Sequence, residues 1–256
     1  MIIGLLTLAY LLFGKGHETF LLNPNIEKSV SIYVKDKQRK NEVDSVIKKV
    51  EKTEAAFQKK VKDVYGKKLT QLNMSRTSTT ADFTQEYNAF YNDLSTMQNS
   101  YVESEIKIRT FIKPNEWDSI MNKALKQPDN VKAKKSIAAE NKKLYDHLLA
   151  ATNKYITDPT NKKKAKMLDD EYQVKVDTVA SAFLDLNYRY LKAVRPYQAT
   201  ASDFTPLRDK IIGLRRSYSD YVVSMRFQLL AITPEKNWEG LAKELNSIFA
   251  DVAGDM

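Results

Sequence analysis

The side chains in this sequence that could do chemistry are few, and their spacing does not bring them together. His147 stands in Tyr145-Asp146-His147-Leu148-Leu149, and the other histidine, His17, is far away near the N-terminus. Two histidines with no cysteine cannot supply the convergent ligands of a zinc or multi-histidine centre, so no metal ligand is assigned. Carboxylates do cluster: Glu116 and Asp118 flank Trp117, and Asp169, Asp170 and Glu171 run together. A general acid–base pair needs two carboxyls converging on one cleft in different environments. Neighbours along a helix point in different directions, so these runs are expected to be solvated surface. The sequence holds no phosphate-binding loop, no serine-nucleophile elbow and no His-Glu-x-x-His. No catalytic residue and no cofactor is assigned, and the chain is expected not to be an enzyme.

Basic runs occur at Lys35-Asp36-Lys37-Gln38-Arg39-Lys40, from Lys132 to Lys135, and at Lys162-Lys163-Lys164-Ala165-Lys166. With 41 Lys+Arg against 32 Asp+Glu the net charge is +9, which raises nucleic acid or anionic lipid as partners. Acidic residues are interleaved through the same segments, and lysine outnumbers arginine, the residue suited to bidentate phosphate contact. A lysine-rich solvated surface is the better reading, and nucleic-acid binding is disfavoured.

The elements that must position these side chains read as helices. Seven glycines in 256 residues are too few for a hairpin-rich sandwich, a glycine-rich nucleotide fold or a propeller. Apolar residues recur at steps of three, four and their multiples or sums in Val43, Val46, Val50, Phe57, Val61, Val64 and Leu72. A second series, Phe83, Tyr87, Phe90, Leu94, Met97, Tyr101, Ile108 and Ile112, has the 3-4 spacing of an antiparallel bundle seam. No segment alternates with period two, so the expected fold is all-α.

The chain also repeats itself. Asp82-Phe83-Thr84 recurs as Asp203-Phe204-Thr205, 121 residues on. Tyr101-Val102-Glu103-Ser104 recurs as Tyr221-Val222-Val223-Ser224, and Ile112-Lys113-Pro114 as Ile232-Thr233-Pro234, both 120 on. Trp117 and Trp238, the 2 tryptophans, are 121 apart, and Tyr33-Val34-Lys35-Asp36 returns as Tyr155-Ile156-Thr157-Asp158, 122 on. Ordered, rare landmarks at a nearly constant step indicate a tandem duplication. Each unit should hold a helix ending at Tyr-x-x-Asp, a long helix (about 41–72 and 161–194), a third helix capped by Asp82 or Asp203, and a short tryptophan-bearing helix. Pro206 is expected in the first turn of its helix. Each tryptophan is expected to close the end of its own bundle. The unit boundary falls between Lys126 and Lys135.

Residues 1–14 carry no charge and would span about 21 Å as a helix, short of a hydrocarbon core of about 30 Å. A positive leader region and a small-residue cleavage site are both missing, and a buried core helix is the competing reading at this length; an uncleaved short anchor is the reading expected. Its membrane- or partner-contacting residues would be Ile2, Ile3, Leu5, Leu6, Leu8, Tyr10, Leu11, Leu12 and Phe13. Such a mismatched anchor gains from an integral membrane protein beside it. Asp44-Ser45-Val46, Asp118-Ser119-Ile120 and Asp177-Thr178-Val179 resemble acceptors of bacterial envelope O-glycosylation, which favours a periplasmic domain. The positive charges following the anchor favour the cytoplasmic face instead.

The expected organisation is an anchor at 1–19, a helical-bundle repeat at 20–129 and a second at 130–256, with Tyr101, Pro114, Trp117, Tyr221, Pro234 and Trp238 as repeat landmarks. The expected function is that of a membrane-anchored accessory or scaffold subunit of an envelope complex. It would act by protein–protein binding, through the anchor to an integral membrane protein and through the bundle to other subunits. Ile112-Lys113-Pro114-Asn115-Glu116-Trp117 resembles, over about six residues, the Leu-Thr-Pro-Glu-Gln turn of the Spy family of periplasmic stress chaperones. The family's final Gln is lacking in both copies. That likeness supplies the alternative expectation, a periplasmic holdase or ligand-binding helical protein.

Overall fold

A computed structural model describes residues 21, 23–124 and 130–254, with the side chains of 24, 130–137 and 248–254 left aside. The described residues contain no strand. In chain order they form α1 (Pro24–Tyr33), α2 (Lys37–Lys60), a π-helical turn (Val61–Gly66), α3 (Lys67–Met74), α4 (Thr80–Arg109), α5 (Pro114–Ala124), α6 (Asn130–Tyr155), α7 (Pro159–Val194), α8 (Ala201–Ile232) and α9 (Glu235–Gly254). The anchor and its contact residues from Ile2 to Phe13 lie outside the described residues, as do 125–129 within the expected boundary. Among the described residues, no helix is long and apolar enough to cross a membrane.

Short polar side chains start these helices where the landmarks fall. Asp36 caps α2 by accepting from Arg39 N at 2.8 Å, and Asp158 caps α7 by accepting from Asn161 N at 2.8 Å. Asp82 and Asp203 play a different part from the expected one. The N-caps of α4 and α8 are Thr79 and Thr200, and each aspartate sits three residues inside. Their carboxylates reach back to the threonine backbone N–H at 2.7 Å, the reciprocal half of a capping box. Those bonds hold both carboxyls below the usual carboxylate range. Pro206 also lies deeper than expected, inside α8 rather than in its first turn.

The rod α2–π–α3 breaks its apolar register at the π turn. Val43, Val46, Val50 and Phe57 are buried as their spacing predicts, but Val64 is exposed and Val61 and Leu72 are only half-buried. The buried positions become Tyr65, Leu69 and Asn73. A π turn inserts one residue into the helical repeat, which rotates every later side chain by about 100°. Gly66 closes the turn, where an added Cβ would stand 3.1 Å from the Val61 carbonyl oxygen. The other long rod, α7, is α-helical throughout. Asp36 to Thr79 spans 43 residues and Asp158 to Thr200 spans 42, so the extra residue absorbed at the π turn matches the step falling from 122 to 121.

In the first half α2 packs on α4 and α1 on α5; in the second α7 packs on α8 and α6 on α9. The halves meet along α4 and α8, which run antiparallel. Phe83 meets Phe227 edge-on at 5.9 Å, Tyr91 Oη lies 2.6 Å from Ser219 Oγ, and Arg208 donates to Asn99 at 2.6 Å. One apolar cluster runs from Leu21 to Leu245 through both halves.

The carboxylate run on α7 is not all solvated. Asp170 and Glu171 are exposed, but Asp169 is fully buried. It falls on the stripe Ala165, Asp169, Tyr172, Val176, Val179, Phe183, whose 3-4 spacing faces the core. Thr152 Oγ1 lies 2.7 Å from its Oδ2, while Oδ1 has no partner.

Candidate functional site

Two buried arginines fasten one half to the other. Arg226 on α8 points its Nη2 at the carbonyls that end α3, with Leu72 O at 3.2 Å and Ser75 O closer still. Its guanidinium lies over Phe227, Trp238 and Phe83, at 4.5, 5.1 and 5.2 Å from the ring centroids. Arg109 on α4 does the same in reverse, donating from Nη2 to Val194 O at 2.8 Å and stacking over Trp117 at 4.5 Å and Phe204 at 5.9 Å. Helix C-termini concentrate unsatisfied carbonyls and partial negative charge, so a cation there is stabilised twice.

The tryptophans belong to the same clasps. Trp117 Nε1 donates to Arg195 O at 2.8 Å, and Trp238 Nε1 to Met74 O at 3.1 Å. Each indole therefore closes a helix end of the other half, which corrects the expectation that each serves its own bundle. An indole N–H needs an acceptor when buried, and the end of a neighbouring helix offers one. The clasps differ in charge. Glu105, buried beside Arg109, accepts from Tyr190 Oη at 2.7 Å. Around Arg226 the nearby charge is instead that of Arg76; burial first, then Arg76, lowers the Arg226 pKa to about 10. Of the remaining landmarks, Tyr101 donates to the Glu54 carboxylate, Tyr221 is half-buried, and Pro114 opens α5.

Beside this seam lies an open cleft of about 560 Å³ between the first turns of α4 and the last turns of α8. Helical spacing puts Thr80, Thr84 and Tyr87 on one wall and Asp220, Ser224, Gln228 and Ala231 on the other, with Val223 and Phe227 beneath. Tyr87 is 5% exposed and its hydroxyl has no hydrogen-bond partner. Burial, then Tyr91 and Asp220, pushes that phenol well above its usual pKa of 10. It stays neutral at physiological pH and acts as a hydrogen-bonding group. Asp220 is exposed at the rim, and no lysine or arginine lines the cleft. An apolar floor with a few convergent polar groups, in this size range, suits ligand recognition.

Sequence reasoning placed Tyr87 in the apolar seam and did not single out Asp220, Arg109 or Arg226. One signal lay in the spacing: Arg208 stands 121 residues after Tyr87, the step of the landmarks, where an apolar seam should not carry a charge. His147 is exposed on α6, and the described residues hold no group of carboxylates and histidines able to bind a metal. Comparison with family models, curated proteins and solved structures finds no match to this chain.

Proposed function

We propose that this protein works by contact, as a helical accessory or scaffold subunit of an envelope membrane complex. Residues 1–14 would tether it to the membrane beside an integral membrane protein, with the helical body on the periplasmic side. The body is read as two duplicated units, 20–129 and 130–256. Reciprocal bonds support that reading: Arg39 donates to Phe111 O at 3.2 Å, and at the corresponding place Asn161 donates to Ile232 O at 3.1 Å.

The observation that carries the contact reading is the α4–α8 cleft, where a buried hydroxyl has no partner among the described residues. An orphaned buried polar group costs about 1–3 kcal/mol, a cost that a partner supplying a hydrogen bond there would relieve. Ser224→Trp would fill the cleft from its exposed rim. The expected outcome is loss of the partner subunit on native gels of gently solubilised membranes, with unchanged helical circular dichroism. Undiminished co-migration would remove the cleft from the contact surface. The cleft's volume also favours a second reading, a periplasmic holdase or ligand-binding protein, because about 300–1,000 Å³ is the range of small-molecule sites.

A further inference from the structure

The geometry points to a basic side chain of a partner protein, an arginine, as the occupant of the α4–α8 cleft, held by the Asp220 carboxylate and the Tyr87 hydroxyl. This inference rests on the contact reading above and names the chemistry of its partner.

The argument comes from the position that the repeat sets opposite the cleft. Arg208 stands 121 residues after Tyr87, and Asn99 stands 121 before Asp220. There, across the same pair of helices, the chain supplies its own guanidinium. Arg208 Nη1 donates to Asn99 Oδ1 at 2.6 Å, its Nε and Nη2 donate to Asp209 Oδ1 at 3.1 and 2.8 Å, and the arginine side chain is only 12% exposed. On the cleft side the roles are exchanged. The arginine is replaced by a phenol whose hydroxyl has no hydrogen-bond partner among the described residues, and the neutral amide by a carboxylate. What remains is the open cleft, whose rim carries a carboxylate where the other position carries an amide.

The polar groups left there are those a cation needs. The Tyr87 hydroxyl is buried, unpartnered and neutral, so its oxygen can accept a hydrogen bond. Asp220 makes no ion pair or hydrogen bond among the described residues. Arg216, one turn before it, is engaged elsewhere, donating to Asn88 Oδ1 at 2.8 Å and lying over Tyr91 at 4.9 Å. Arginine suits the site better than lysine, because two oxygen acceptors on different helices match a planar fork. Val223, Phe227 and Ala231 would take the apolar side chains flanking that arginine, so the occupant is a protein segment rather than a small amine.

The test is a titration of the full chain, at low salt, with acetyl-Leu-Arg-Leu-amide and with its uncharged citrulline counterpart. The arginine peptide should bind at least about tenfold more tightly, the scale of a charge-assisted hydrogen bond. Asp220→Asn, at an exposed position that leaves folding intact, should erase the difference. Tyr87→Phe should weaken the arginine peptide alone. Equal binding of the two peptides, or a preference that survives Asp220→Asn, would overturn the inference. Arginine amide or spermidine binding as tightly as the peptide would overturn a protein segment as the source of the cation. If the peptides fail while Ser224→Trp still releases the partner subunit, the contact reading stands and only the arginine assignment falls. If Ser224→Trp also changes nothing, the contact reading falls with it.

Discussion

Replacing Arg226 with methionine is expected to destabilise the protein by about 3 kcal/mol, even though it removes a buried charge with no carboxylate beside it. Two effects oppose one another. Desolvating a guanidinium costs several kcal/mol, and methionine relieves that cost. Against it stand charge-assisted bonds to carbonyls at about 1.5–3 kcal/mol each and desolvated stacking on three rings at about 2 kcal/mol or less each. Leu72 O keeps a second donor, Ser78 Oγ at 2.8 Å, but Asn73 O and Ser75 O lose the guanidinium. The contacts outweigh the desolvation. For a chain of this size the melting temperature should fall by roughly 6–12 °C. The Trp238 indole should also lose the cation over its face, changing its fluorescence before global unfolding. Arg226→Lys should recover little, because one ammonium cannot span several carbonyls and face three rings. An Arg226→Met protein as stable as the parent would mean that the clasp contributes nothing net.

Asp169→Asn is expected to stabilise the protein, and only above mildly acidic pH. Burial, partly opposed by the Thr152 bond, raises the Asp169 pKa from 3.8 to about 7. Below pH 4 the carboxyl is protonated in both the folded and the unfolded chain, and it contributes no pH dependence. Between pH 4 and 7 the unfolded chain releases a proton that the folded chain keeps, so stability falls as pH rises. Above pH 7 both states are ionised and the penalty is constant. A shift of this size corresponds to a ceiling of about 4 kcal/mol. Asparagine has nearly the same shape and nothing to ionise. Melting curves of the two proteins should lie close together at pH 4.5 and separate by pH 8, with the variant higher. Curves that stay parallel across that range would contradict the buried, neutral carboxyl.

The helices were legible in the sequence because their apolar spacing and capping residues are local. Tyr33 and Tyr155 end helices as read, and Asp36 and Asp158 cap the next ones. Helix breaks inside a periodic stretch were not legible. The π turn at Val61–Gly66 keeps a helical pattern while moving the buried face from Val64 to Tyr65 and Leu69. Asp169 was hidden by its charged neighbours, although its 3-4 spacing from Ala165 and Tyr172 places it on the core side. The clasps and the cleft depend on contacts between residues 78 or more positions apart, which no local pattern encodes. Only the recurrence of Trp117 as Trp238, and of Tyr87 as Arg208, pointed toward them. Arg109 and Arg226 sit 117 apart rather than 121, about one helical turn short of the landmark step, so a constant step does not pair them.

The central claim, a contact protein tethered at its front end, is tested most directly by deleting residues 1–14. The full chain and the shortened chain would be expressed at native level and compared on native gels of membrane and soluble fractions. The account predicts that the full chain stays with membranes in an assembly larger than its own 29.4 kDa, whereas the shortened chain is folded, soluble and released from that assembly. A shortened chain that still co-purifies with its membrane partners would contradict the account.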